Sequence, residues 1–250
     1  MEYRKRHAPM IVDILEVGRR MHRQGLVAST GGNISVRIGE DRFLITASGV
    51  SKGSMREEHI LVIDGEGKVM EGKGRPSNEF RMHVGIYRER PDTVAVVQAH
   101  PPTATAFTVA GVSLMDPVLP EIVLSLGGIP TVSFGVPGSE DLMGKLRPYL
   151  KEHDAVLLEN HGAVTLGGTL MQAWNHMEAV EMTAKIRHTA RMLGTERRLT
   201  REELDRLLLL RSEYTPQART PSGKIIHTEL RARARGESEE HEDEQIPFFE

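Results

Sequence analysis

The chain has 250 residues, 39% of them hydrophobic, and a formal net charge of −3. That length suits one large domain or two small ones, and the apolar fraction is enough for a core, which excludes a disordered chain. The absence of Cys removes disulfides, zinc fingers, iron–sulfur clusters and cysteine nucleophiles together, so any metal must be held by His, carboxylate or amide oxygen, and 11 His keep that option open.

In chain order, Pro9 opens a predicted amphipathic helix over 9–23, with Met10, Ile11, Ile14, Leu15 and Met21 at spacings of three, four and seven. Short β-like runs follow at 34–38, 43–46 and 60–63, and DGEGKV at 64–69 reads as a tight hairpin turn. A helix is expected over 77–90, with Ser77 as its cap and Pro91 as its stop. A buried strand at 94–97, a helix at 102–109, a strand at 130–134, a helix at 139–150 capped by Ser139 and a strand at 155–158 come next. The long helix expected at 169–193 places Met171, Trp174, Met177, Met182 and Ile186 on apolar positions, and a last helix spans 201–211. The run TPQARTPSG then ends the folded part. Residues 237–250 hold seven acidic residues and no Lys or Arg, directly after RARAR at 231–235, so the net charge combines a mildly basic domain with an acidic tail.

The near-neutral charge argues against a nucleic-acid partner. No run approaches the roughly 18 apolar residues of a membrane span. Asp13, Glu16, Arg19 and Arg20 interrupt any apolar stretch after the N-terminus, so no signal peptide is expected and a cytoplasmic location is the default.

Chemistry collects where buried strands end in polar turns. His100 follows VAVVQ, and His161 follows AVLLEN; two imidazoles at neighbouring strand ends can converge on one ion. His83 lies four residues after Glu79 on one helix, where packing or capping explains it, and His22, His59, His176, His188 and His227 read as surface residues. STGGNIS (29–35), TASG (46–49) and PSN (76–78) are three small polar loops that can form a phosphate-binding rim, the last at a helix N-terminus. Nucleophile chemistry is poorly supported. There is no GxSxG elbow, and Lys52, Lys151 and Lys224 do not sit at apolar strand ends where desolvation would lower a lysine pKa.

In order and spacing, TGGNIS (30–35), TASG (46–49), GRPSNEFRMH (74–83) and AVVQAHPP (95–102) with ENHG (159–162) resemble the class II aldolase/adducin family over about residues 8–214. The resemblance implies an α/β fold: a single domain (1–214) with a central, mostly antiparallel β-sheet flanked by helices, followed by a charged C-terminal extension (215–250). It implies a homotetramer with interfacial sites and a small phosphorylated sugar as substrate. The metal ligands fall on His100 and His161, with Gln98 where the family has a third His and Glu79 as the acid/base carboxylate. The phosphate groups fall on Thr30, Asn33, Ser48, Gly49, Ser77 and Asn78, with Ser48 where Thr is frequent and Asn78 where Ser is frequent. Of two tyrosines acting on the aldehyde side, the first position holds Glu121 and the second is Tyr214.

The implied reaction is cleavage of a phosphorylated ketose to dihydroxyacetone phosphate and an aldehyde through an enediolate, with a divalent metal as Lewis acid and Glu79 moving the proton. Related epimerase or decarboxylase chemistry is the alternative within enzymes. Gln98 leaves three outcomes open: zinc held by His100, His161 and Glu79; a harder ion such as Mn; or no metal and a silent oligomeric binding module, as adducin is.

Overall fold

The computed structural model describes residues 2–214, with side chains through Leu210. A short helix α1 (Glu2–Arg6) precedes α2 (Ala8–Arg23). Strands β1 (Asn33–Gly39), β2 (Arg42–Thr46), β3 (Ile60–Ile63) and β4 (Val69–Glu71) form an antiparallel meander. Its last turn is the expected 64–69 hairpin: Asp64 Oδ1 accepts from the N–H groups of Glu66 and Lys68, and Gly67 supplies the left-handed φ of 81°. Helix α3 (Phe80–Glu89) leads to β5 (Ala95–Ala99), which returns to the centre beside β1. Then come α4 (Pro102–Val109), α5 (Pro120–Ser125), β6 (Thr131–Val132), α6 (Glu140–Leu150), β7 (Ala155–Leu158), β8 (Gly162–Gly167), α7 (Leu170–Leu193) and α8 (Arg201–Tyr214). The sheet order is β4-β3-β2-β1-β5-β8-β7-β6, and only β6 with β7 is parallel.

Period-2 alternation sorts side chains to the two faces of this sheet. Ile34, Val36, Ala95, Val97 and Ala99 join one core with α2 and α7, around Met21, Trp174 and Met177. Val96, Ile45, Leu61, Ile63, Val156 and Val164 join the other, under α3 and α6. Asn33, Ser35 and Gln98 alternate with the first set, so they point to the α3 side, where α3 turns Glu79, His83 and Tyr87 toward them.

Several elements differ from the expectation. Helix α3 starts at Phe80 with Glu79 as its N-cap residue, not at Ser77, because residues 76–77 are held extended by an Ala47–Pro76 bridge and a Ser77 N–H bond to the Thr46 carbonyl. The strand expected at 130–134 is only Thr131–Val132. Helix α5 and strand β8 were not expected; β8 closes a tight hairpin on β7 through Asn160 at φ 53°. Ser139 caps α6 as the sequence suggests, accepting from the Leu142 N–H, and Thr169, expected as the first helical residue, is instead the cap of α7, accepting from the Gln172 N–H. On α7, Trp174 and Met177 are buried, but Met171, Met182 and Ile186 lie on the exposed side; Ala173, Val180 and Ala184 complete the inner face instead. His176 is buried, not a surface residue, and its Nδ1–H donates to the Leu166 carbonyl at 2.8 Å. No described helix is long and apolar enough to cross a membrane. The extension at 215–250 and His227 lie outside the described residues.

Candidate functional site

The site lies where β1, β5 and the β7–β8 hairpin meet the start of α3. Antiparallel pairing sets Asn33 opposite Gln98, and the next residue but one on the chain is His100. Two glycines leave room for the imidazole. A Cβ on Gly162 would fall 2.3 Å from the Ala99 carbonyl and 3.1 Å from His100 Cδ2, and one on Gly31 would fall 2.9 Å from His100 Nδ1. Those contacts explain why glycine flanks the His161 turn and stands in the TGGN loop.

The structure brings Glu79, His100 and His161 together. His161 Nε2 is 3.5 Å from Glu79 Oε1, and the two imidazole rings lie 5.3 Å apart. Glu79 Oε1 and His161 Nδ1 are buried without a hydrogen-bond partner. A buried carboxylate oxygen left unpaired is costly in a closed core; beside two imidazoles it is what a cation would satisfy. Burial lifts the Glu79 carboxyl above its ordinary range, with the Asn33 amide and His100 pulling the other way. Burial lowers both imidazoles, and for His100 the neighbouring His161 and Lys52 add to it while Glu79 opposes. Neutral imidazoles are the form that ligates metal. His100, His161 and Glu79 therefore fit a divalent ion as donors. Among the described residues no group of three or more His, Asp or Glu side chains is gathered tightly enough to be a complete site without rearrangement.

Gln98 is placed differently from the other three. Its Oε1 accepts from Asn33 Nδ2 at 3.0 Å, and its Nε2 stands 3.1 Å from His100 Nε2, so the amide shows the imidazole a donor and not an oxygen. Asn33, expected on the phosphate rim, is instead spent inside the cluster. It donates to Glu79 Oε2 at 2.8 Å as well as to Gln98, and its Oδ1 bonds His83 Nε2.

The remaining rim candidates are carried by three loops that the structure ties together. The Ser48 N–H bonds the Arg75 carbonyl at 2.9 Å, and Ser77 Oγ accepts from the Glu79 N–H. Gly49 has a φ of 74° and open space around it, and Asn78 is exposed. Thr30 and Val50 are joined by Lys52, whose ammonium donates to both carbonyls at 3.1 and 2.7 Å. This corrects the expectation that Lys52 escapes desolvation. The residue is 1% exposed, because residues 52–54 turn back under α2, and burial lowers its pKa to about 8.

Glu121 is exposed in the first turn of α5 and has no hydrogen bond to Glu79, His100 or His161 within the described chain. Tyr214 closes α8, and its side chain lies outside the described residues. Ser35, His83 and Tyr87 form a polar group behind the cluster that the motifs do not single out. Ser35 Oγ lies 2.7 Å from His83 Nδ1 and 2.8 Å from the Tyr87 hydroxyl, all of them buried. Their signal is in the sequence as alternation on β1 (33, 35) and four-residue spacing on α3 (79, 83, 87).

Comparisons with known proteins identify the family. The family model described as the class II aldolase and adducin N-terminal domain matches residues 12–188. A methylthioribulose-1-phosphate dehydratase of Methylococcus capsulatus is 34% identical over 74% of this chain and 95% of its own. A 3-oxo-tetronate 4-phosphate decarboxylase of Haemophilus influenzae is 31% identical over 69% of this chain and 84% of its own. Among solved structures, L-fuculose-1-phosphate aldolase from Thermus thermophilus superposes with a TM-score of 0.67 at 33% identity, covering 74% of this chain and 96% of that one. With a family model spanning the sheet, the rim loops and both histidine turns, the chain belongs to the class II aldolase and adducin family.

Proposed function

We propose that the protein is a lyase that cleaves a phosphorylated ketose to dihydroxyacetone phosphate and an aldehyde, with a divalent cation, zinc or a harder ion such as Mn, held by His100, His161 and Glu79. The observation that carries this reading is the unpaired, buried Glu79 Oε1 at 3.5 Å from His161 Nε2, beside His100. A divalent ion at these donors supplies Lewis-acid polarisation of the ketose carbonyl.

The protein's own residues do the rest. The rim of Thr30, Ser48, Gly49, Ser77 and Asn78 binds the phosphate, which makes the reaction effectively unimolecular. The Glu121 carboxylate takes the proton of the aldehyde-side hydroxyl, the O–H electron pair becomes the aldehyde C=O as the C–C bond breaks, and the C–C electron pair moves toward the ketose carbonyl to give the enediolate. Glu79 delivers a proton to the enediolate carbon to form dihydroxyacetone phosphate, a task suited to a carboxyl that burial has raised above its ordinary range. Glu121 and Tyr214 serve the aldehyde side in this reading. Because Glu121 stands apart from the cluster within one chain, the same reading takes it from a neighbouring subunit of a homotetramer.

The relatives named above carry out dehydration and decarboxylation of phosphorylated substrates, which favours a second reading in which the same cluster serves one of those reactions. Incubating the full chain and a divalent ion with a set of ketose 1-phosphates separates the two, with coupled detection of dihydroxyacetone phosphate. Release of that product, abolished by Glu79→Gln, supports the aldolase. Loss of carbon dioxide or water without it supports the second reading. No turnover of any substrate leaves a binding module.

A further inference from the structure

A single buried chain of hydrogen bonds runs from Tyr87 through Ser35, His83, Asn33 and Gln98 to His100. The direction of every bond in it follows from one carboxylate. Glu79 Oε2 accepts, so the end of the Asn33 amide facing it is the NH2 group. The same NH2 faces Gln98 at 3.0 Å, so Gln98 must show it the amide oxygen. The other end of the Gln98 amide is then its NH2, which only donates, and it stands 3.1 Å from His100 Nε2. In the opposite direction, Asn33 Oδ1 faces His83 Nε2, so that nitrogen carries the proton. His83 is wholly buried and burial lowers its pKa to about 3, so it is neutral and its Nδ1 is an acceptor. Ser35 spends its only proton on Nδ1, and the Tyr87 hydroxyl donates to Ser35.

We propose that this one-way relay makes Gln98 a positioning residue: its amide N–H holds His100 in the tautomer with the proton on Nδ1, so that Nε2 presents a lone pair to the site. Asn33, itself held by Glu79, acts through Gln98 by fixing which way its amide points, while His83, Ser35 and Tyr87 satisfy the other end of the Asn33 amide. The amide N–H is a placeholder on Nε2, which an incoming cation displaces. The substitution of Gln for an imidazole therefore removes a ligand but preorganises one that remains. The value of that preorganisation to a metal rests on the preceding reading of His100 as a ligand; the tautomer itself does not.

The test is the tautomer of His100 and His83 in the full chain after treatment with a chelator, read from two-bond nitrogen–proton correlation spectra of histidine-labelled protein above neutral pH. The relay predicts a proton on Nδ1 of His100 and on Nε2 of His83. Gln98→Glu, which keeps the shape but turns an acceptor toward His100, moves the His100 proton to Nε2. Asn33→Ala, which frees the Gln98 amide to turn, leaves His100 as a mixture of tautomers, whereas Ser35→Ala leaves the His100 proton on Nδ1. A wild-type His100 protonated on Nε2 overturns the proposal whatever the variants do, and so does a Gln98→Glu spectrum unchanged from wild type. Titration with Mn2+ in the same experiment tests the other reading separately. Broadening of His100 and His161 signals supports their role as ligands; no broadening with the tautomers as stated removes the metal reading and leaves the relay standing.

Discussion

The two faces of the central sheet are built from the same strands and do different work. On the α2 and α7 face, β1 and β5 present Ile34, Val36, Ala95, Val97 and Ala99 to Met21, Trp174 and Met177 in an apolar cluster. On the α3 face, the intervening residues Asn33, Ser35 and Gln98 meet Glu79, His83 and Tyr87 in a connected polar seam. A one-residue step along a strand separates the two, so a sheet can hold its stability on one side and fix reactive groups on the other. Apolar packing is non-directional and tolerates substitution of similar volume. A hydrogen-bonded seam is directional, and every member must find a partner.

If that division holds, substitutions on the two faces should separate activity from stability. The largest effect on turnover is expected from Glu79→Gln, a loss of about 10²–10⁴-fold, measured by product release with the thermal midpoint unchanged or raised. Trp174→Ala, on the other face and wholly buried, should cost about 3–5 kcal/mol in denaturant unfolding while activity per folded molecule survives. Asn33→Ala should cost about 1–3 kcal/mol by leaving Glu79 Oε2 and His83 Nε2 short of a partner, and unlike Trp174→Ala it should also lower the rate of the folded fraction. Met182→Ser, exposed on α7, should change the stability of the folded chain by no more than about 0.5 kcal/mol.

Lys52 couples the α2 side of the sheet to pH. Its pKa falls from 10.5 to about 8 on folding because its ammonium is buried. Between these values the unfolded chain binds the proton and the folded chain does not, so folding stability contributed by this group rises as pH climbs through that window. Unfolding of wild type and Lys52→Met compared from pH 7 to 10 should show the wild type gaining on the variant over the upper part of the range. A constant difference would mean that Lys52 stays protonated throughout.

Much of the framework was legible in the sequence. The strands at 34–38, 43–46, 60–63 and 155–158 and the helices at 9–23, 139–150 and 201–211 declare themselves by periodicity and caps. Strand β8 escaped because GAVTLG follows a His-Gly turn and carries no turn signal between it and β7 beyond Asn160, which needs a left-handed backbone. Met171, Met182 and Ile186 fit an apolar helical stripe on paper, yet small residues, Ala173 and Ala184, take the inner face of α7 where the helix approaches the sheet closely. For the site, motif order located Glu79, His100 and His161. It could not show that Asn33 is consumed by Glu79, Gln98 and His83, because that depends on the register of β1 against β5. It also missed the burial of Lys52, since a lysine in a Gly- and Ser-bearing loop carries no local sign that the loop folds beneath a helix.

Elemental analysis of the purified full chain reads out whether Glu79, His100 and His161 hold one divalent ion. The account predicts close to one divalent ion per chain after reloading with zinc or manganese, reduced to a small fraction by His161→Ala, and tightened by Gln98→His. A wild-type chain that holds no metal after reloading, with no gain from Gln98→His, would contradict it.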